Sequence, residues 1–163
     1  MTKKKATDLV LAALCILILV GVGLSVYAAA RDKNVIRVDL EPSVTQAVEF
    51  EDLCLLPGET GEYRLNLNCE TATPYTVTLQ FVDRAPTYTL KDHAYVRIEK
   101  GDELLAEQRL ADAFAAAPLQ TVIDTAAEQA CHIKITFYLP ADVGNEAQNA
   151  EADFALLITA SNE

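Results

Sequence analysis

Polar and apolar residues alternate from Glu62 to Cys69, EYRLNLNC, with Tyr63, Leu65, Leu67 and Cys69 on one face and Glu62, Arg64, Asn66 and Asn68 on the other. A period of two marks a strand buried on one side. Tyr75 to Phe81, YTVTLQF, repeats the pattern with Tyr75, Val77, Leu79 and Phe81 inward. The connection between them ends at Pro74, a residue that a central strand excludes, and the two segments are expected to form a hairpin. Upstream, Ile36, Val38 and Leu40 alternate with Arg37 and Asp39, and Val48 and Phe50 keep phase within Gln46–Leu53 before a turn at Pro57-Gly58. Downstream, Ala94–Lys100 places Val96 and Ile98 inward and turns at Gly101-Asp102. The strongest strand is Cys131–Leu139, CHIKITFYL, with Cys131, Ile133, Ile135, Phe137 and Leu139 on its apolar face. Ala152–Ala160 closes the series with Phe154, Leu156 and Ile158 inward.

One segment breaks the period. Leu104 to Ala117 is rich in helix formers, and Leu110 and Phe114 lie one helical turn apart. A short helix is expected near Arg109–Ala116, stopped by Pro118. Seven or more short strands with Pro/Gly turns and a single crossover helix predict an all-β, antiparallel β-sandwich.

The longest apolar run precedes all of this. Leu9 to Ala30 holds no charged residue, with Lys3, Lys4 and Lys5 before it and Arg31, Asp32 and Lys33 after it. As a helix it would reach ~33 Å, enough to cross a hydrocarbon core of ~30 Å. A lysine-rich start and Ala28-Ala29-Ala30 fit a cleaved secretory signal, the reading placed first; the rival is an uncleaved signal anchor, because the run is slightly longer than a typical secretory apolar region. Either way the lysines stay in the cytoplasm and the remainder lies outside. The chain therefore divides into a signal peptide or transmembrane anchor (1–30), a linker that includes a candidate donor strand (31–45) and an extracytoplasmic β domain (46–163).

Charge narrows the partners. The whole chain carries −11, and Lys3, Lys4, Lys5 and Asp8 give the first 30 residues +2, which leaves −13 on the exported part. Such a surface is soluble and repels phosphate backbones, so nucleic acid is excluded as a partner. Cys15 belongs to the apolar run, and Cys54, Cys69 and Cys131 are left as an odd set whose pairing the sequence leaves open.

Catalytic and cofactor chemistry is not expected. The only histidines are His93 and His132, and no H-E-x-x-H occurs. Cys131 and His132 are strand neighbours and so point to opposite faces, with His132 toward solvent. His93 sits beside Asp92 in a loop and reads as surface. Asp142, Glu146, Glu151 and Asp153 lack the spacing of a calcium loop. Neither catalytic, cofactor nor metal residues are assigned.

The C-terminal third carries a likeness. Tyr138-Leu139-Pro140 followed by Gly144-Asn145 and Gln148 before the last strand resembles the closing segment of the camelysin/TasA-type family of exported bacterial surface and biofilm-matrix proteins. Leu55-Leu56-Pro57-Gly58-Glu59 resembles that family's approach to its first conserved hairpin. The resemblance spans about residues 48–160. It implies an antiparallel jelly-roll or Ig-like sandwich at the cell surface, in which an N-terminal strand of one subunit can complete the sheet of the next. Ile36, Val38 and Leu40 would then be the assembly strand, and the partner a second copy or a related surface protein. Arg31-Asp32-Lys33-Asn34 departs from the family's aromatic-Ser/Thr-Asp start. Three functional readings follow. The first is a non-enzymatic surface or matrix structural protein that assembles by strand addition. The second is a membrane-tethered binding module that presents its loops to a protein or glycan. The third, an exported metalloprotease, has little residue support. They part at Val35–Leu40: pairing within its own sandwich closes the domain, whereas a free strand leaves an open edge.

Overall fold

The alternating segments pair into two facing sheets in a computed structural model, which describes residues 34–69, 74–124, 130–144, 147 and 150–161. Residues Ile36–Glu163 form one compact unit. Among the described residues there are nine strands: β1 (Val35–Leu40), β2 (Thr45–Cys54), β3 (Thr60–Cys69), β4 (Tyr75–Asp83), β5 (Tyr95–Lys100), β6 (Glu103–Arg109), β7 (Leu119–Ile123), β8 (Ala130–Tyr138) and β9 (Glu151–Ser161). A 3₁₀ turn at Leu90–Asp92 leads into β5, and a short helix α1 (Leu110–Ala115) joins β6 to β7. One sheet has the order β1-β3-β8-β5-β6 and the other β2-β9-β4-β7. The all-β sandwich with one short crossover helix expected from the sequence is what the chain forms. The signal or anchor segment, residues 1–30, lies outside the described residues, among which no helix is long and apolar enough to cross a membrane.

The inward faces meet as the alternation requires. Leu65, Leu67, Val77, Leu79, Ile133, Ile135, Phe137, Phe154, Leu156 and Ile158 are each at most 1% exposed. At their centre the aromatic rings interlock. Phe154 stacks on Phe50 with centroids 4.9 Å apart and the planes at 13°. It meets Phe137 edge-on at 5.3 Å and tilts against Phe81 at 6.0 Å and Phe114 at 5.7 Å.

The predicted hairpin of Glu62–Cys69 and Tyr75–Phe81 does not form. β3 pairs with β8 and neighbours β1, whereas β4 pairs with β9 and β7 in the opposite sheet. Each strand keeps its predicted inner face, but the two faces oppose one another across the core. A period of two gives the buried side of a strand and not its partner. The sequence reading also omits β6 and β7. Glu103–Arg109 is composed of helix formers, yet the Gly101-Asp102 turn folds it back against β5, and cross-strand pairing overrides propensity. The helix itself begins only at Leu110.

Two irregularities tune the sheets. The register of β2 against β9 shifts between Phe50 and Leu53, where Asp52 takes φ 52°. Aspartate tolerates this left-handed conformation better than most residues. The extra residue lets Phe50 and Leu53, three apart in sequence, both point into the core. Four residues further on, Leu56-Pro57-Gly58-Glu59 makes a turn with Gly58 at φ 83° and a 2.8 Å bond from the Glu59 amide to the Leu56 carbonyl. Proline second and a positive-φ glycine third are the requirements of a type II turn.

Candidate binding site at one end of the five-stranded sheet

The two sequence stretches that carry the family resemblance lie side by side. The Gly58 amide donates to the Leu139 carbonyl at 2.8 Å, and the Leu139 amide donates to the Glu59 carbonyl at 3.1 Å. A Cβ on Gly58 would stand 3.5 Å from the Ala141 methyl. Leu139 is buried at 1% exposure, Pro140 is half-buried and Gly144 is exposed. Asn145 and Gln148 lie outside the described residues. The turn thus anchors the start of the β8–β9 connection, and that connection forms one wall of a pocket.

The pocket is open to solvent, about 300 Å³ in volume, and lined by Asp92, His93, Tyr95, Arg109, Pro140, Asp142 and Val143. Three separate chain segments contribute, 92–95, 109 and 140–143. The 3₁₀ turn supplies Asp92 and His93, and it is held by the Ala94 amide donating to the Leu90 carbonyl at 2.8 Å, with Leu90 fully buried beneath. The Leu110 amide returns to the Ala94 carbonyl at 2.9 Å, fixing the end of β6 beside the start of β5. Tyr95 pairs directly across the sheet with Arg109 on one side and Tyr138 on the other. The two tyrosine rings stack with centroids 5.3 Å apart and planes at 14°.

Behind Tyr138 the outer face of the same sheet is a lattice of polar contacts. The Tyr138 hydroxyl donates to Glu107 at 2.9 Å. Burial and that carboxylate both push the phenol above its ordinary pKa, so it remains a donor at neutral pH. Glu99 sits between Arg97, at 2.8 Å, and Lys134, at 2.5 Å. The Lys134 hydrogen bond, ahead of those from Arg97 and against the cost of desolvation, holds the Glu99 carboxyl below its usual range. His132 is exposed, as expected, and its Nδ1 lies 2.8 Å from Asn66 Oδ1, while its neighbour Cys131 is buried on the other face. Cys54 is exposed.

The Glu99 shift has a sign that can be measured. A carboxyl whose pKa is lower in the folded than in the unfolded chain adds stability above its unfolded value and loses it as pH falls through the folded value. Lys134→Met is therefore expected to lower the melting temperature at pH 7. Its deficit relative to the wild type should shrink as pH is taken downward from the ordinary glutamate value, about 4.3. Thermal melts between pH 7 and pH 3 check this, and a deficit constant across the range would contradict it.

Ile36, Val38 and Leu40 occupy β1. Val38 is 2% and Leu40 5% exposed, Ile36 packs partly against the core, and the strand lies beside β3 at one edge of the five-stranded sheet. A hydrogen bond from the Gln46 side chain to the Asp39 carbonyl and a 3.0 Å bond from Asn68 to the Asp39 carboxylate hold it there. Among the described residues no three metal-ligating side chains converge, the Asp142, Glu151 and Asp153 stretch included; Glu146 lies outside them. Sequence reasoning placed Asp92 and His93 in a surface loop and singled out neither Tyr95 nor Arg109. The signal that could have found them is the repeated outward aromatic, Tyr95 and Tyr138, on two strands whose inward positions are all apolar.

No protein-family profile and no curated protein sequence matches the chain. Solved structures similar to it include the CUB1-EGF-CUB2 domains of rat MASP-1, at 12% identity and a TM-score of 0.42 over 79% of this chain and 43% of that one. This chain therefore corresponds to less than half of that fragment. Another is PliG, a periplasmic inhibitor of g-type lysozyme from Aeromonas hydrophila, at 9% identity and TM-score 0.39, covering 78% and 98% of the two chains. A third is the pre-peptidase C-terminal domain of Bacillus anthracis collagenase, at 8% identity and TM-score 0.36, covering 78% and 94%.

Proposed function

We propose that the chain is a non-enzymatic binding module displayed outside the cell, held at the membrane by residues 9–30, that takes a neutral saccharide in the pocket beside Tyr95. The observation that carries this reading is the chemistry of the pocket wall. It combines a half-buried aromatic ring, carboxylate acceptors at Asp92 and Asp142 and a guanidinium donor at Arg109 in an open cavity of about 300 Å³. A pyranose offers a C–H face to an aromatic ring and hydroxyls to planar donors and acceptors, so it uses all three. Charges of both signs in the wall suit neither a polyanion nor a polycation. The exported location rests on Lys3, Lys4, Lys5 and the uncharged run that follows them.

The strand order supports a finer reading of the fold. Strands β2–β9 form two four-stranded sheets, β2-β9-β4-β7 and β3-β8-β5-β6, whose neighbours are mostly non-consecutive. That order supports the double Greek key of a jelly roll over an immunoglobulin sandwich, with β1 added at an edge. The seating of β1 beside β3 supports a closed module ahead of a matrix subunit that offers β1 to a neighbour. The surface-protein class implied by the camelysin/TasA resemblance is common to both readings.

Titration of residues 31–163 with N-acetylglucosamine and mannose oligomers tests the proposal. Tyrosine fluorescence can be followed directly because the chain has no tryptophan. Quenching or enhancement that saturates is expected, and Tyr95→Ala should weaken binding about tenfold, the scale of one aromatic contact. No response at millimolar sugar, or equal binding by Tyr95→Ala, would overturn it.

A further inference from the structure

The alanine-rich stretch 111–117, ADAFAAA, has a consequence besides helix formation. As the chain passes from β6 through α1 to β7, it presents methyl groups where larger side chains would fill the space between the sheets. A cavity of about 150 Å³ is left beneath Ala113 and Ala117. Leu79 and Phe81 of β4 and Ile98 of β5 wall it from within, and it opens to solvent beside Gln80 and Ala117, both exposed. Close-packed interiors leave few voids larger than one water, and this one has the volume of about five. Among the described residues no charged side chain lines it.

Two polar groups face this apolar space. Gln108 stands opposite Val96, whose side chain is fully buried, so the Gln108 amide projects to the inner face of the sheet. It is half-buried there and makes no hydrogen bond among the described residues. The second group is the backbone of Phe81. Residues along an antiparallel strand bond to alternate sides. The Arg84 amide donates to the Asp153 carbonyl on the β9 side at 2.9 Å, so Phe81, three residues earlier, turns its N–H and C=O toward β7. The same alternation turns the Val122 carbonyl away from β4, where Lys100 Nζ donates to it at 2.7 Å. The pairing of β7 with β4 stops at Leu119 opposite Leu79. Pro118 precedes it and has no N–H to extend the ladder. One main-chain donor and one acceptor are thus left at the cavity wall.

We infer that the cavity is a second binding site, for a small uncharged aromatic molecule that carries an amide or a hydroxyl. Size selects the body, because an apolar space of about 150 Å³ accepts a benzene ring. The Phe81 backbone and the Gln108 amide select a group that both accepts and donates, since a buried polar group left without a partner is costly. Charge is rejected. With no ion in the wall, a carboxylate or ammonium would be desolvated unpaired, and the −13 of the exported part repels anions besides. Gln108 and Arg109 are neighbours on β6 and point to opposite faces, which separates this site from the pocket beside Tyr95. The inference does not depend on what that pocket binds.

The Ile36–Glu163 unit carries the described core, so residues 31–163 can be examined alone. Benzamide and benzyl alcohol are titrated into the isotope-labelled protein and followed by amide NMR, with toluene and sodium benzoate as comparisons. Saturable shifts that include the Phe81 amide are expected, with a Kd of about 1 mM or tighter for benzamide and binding of benzoate at least tenfold weaker. Ala106→Leu fills the cavity from β6, opposite the buried Ile98. It should weaken benzamide at least tenfold while the melting temperature is unchanged or raised. Gln108→Leu should cut the preference for benzamide over toluene about fivefold. No saturable shift at ~10 mM benzamide, equal binding of benzoate, or an affinity that Ala106→Leu leaves untouched would each overturn the inference. So would a benzamide preference that survives Gln108→Leu, or shifts centred on Tyr95 and Arg109 instead of Phe81 and Gln108.

Discussion

Replacing Phe154 with alanine is expected to lower stability by about 3–5 kcal/mol, the largest effect of any single truncation in the domain. Phe154 is fully buried on β9, the strand that pairs with both β2 and β4. Its ring stacks on Phe50, meets Phe137 edge-on and leans on Phe81 and Phe114, so rings from both sheets and from α1 lose a common neighbour at once. Phe50 and Phe137 are themselves in edge contact at 5.5 Å, and neither can swing into the space without breaking that pair. The void should therefore persist rather than collapse, which places the cost toward the upper part of the range. Urea denaturation of residues 31–163 measures it, with the thermal midpoint expected to fall by roughly 10–20 °C. Phe114→Ala is the internal comparison. That ring touches Phe154 from a partly exposed helix position, and its removal should cost clearly less. Equal costs would mean that the cluster is not centred on Phe154.

How far this core could be read in advance differs from residue to residue. The inward positions of β3, β4, β8 and β9 were legible because burial on one face imposes a period of two on the side chains themselves. The pairing of those strands was not. Glu62–Cys69 and Tyr75–Phe81, joined by five residues, have the local signature of a hairpin, and only the rest of the fold sends them to opposite sheets. Glu103–Arg109 was hidden for a different reason. An edge strand needs only a turn and one neighbour, here Gly101-Asp102 and β5, so residues of high helix propensity can fill it. The pocket was the least legible part. Asp92, Tyr95, Arg109 and Asp142 come from three segments, and each alone looks like ordinary solvated surface. The two stretches that resemble the camelysin/TasA family were visible, but their junction at Gly58 and Leu139 depends on three-dimensional register.

Removal of residues 31–42 is expected to destabilise the domain heavily rather than leave it intact, and that outcome separates the two readings of β1. The deletion takes away Val38 and Leu40, each at most 5% exposed, and side chains of this size contribute about 1.5–3 kcal/mol apiece when buried. It also strips β3 of a neighbour and exposes a row of unpaired backbone groups along an apolar sheet. A loss of about 3–6 kcal/mol is a large share of the ~5–15 kcal/mol that holds a domain of this size together. A chain that starts at Ser43 should thus melt far below one that starts at Arg31, or expose enough apolar surface to aggregate. A synthetic peptide of residues 31–42, added in excess, should raise its melting temperature in a concentration-dependent way, because a segment that binds only the folded state stabilises by mass action. Rescue in this form would define the slot beside β3 as one that accepts β1 from outside, which is the physical requirement for strand addition between copies. If the truncated chain instead melts where the longer one does, β1 contributes nothing to its own sandwich and is free to serve a neighbour. The closed-module reading would then fail while the saccharide pocket, built from β5, β6 and the loop after β8, could still be tested by itself.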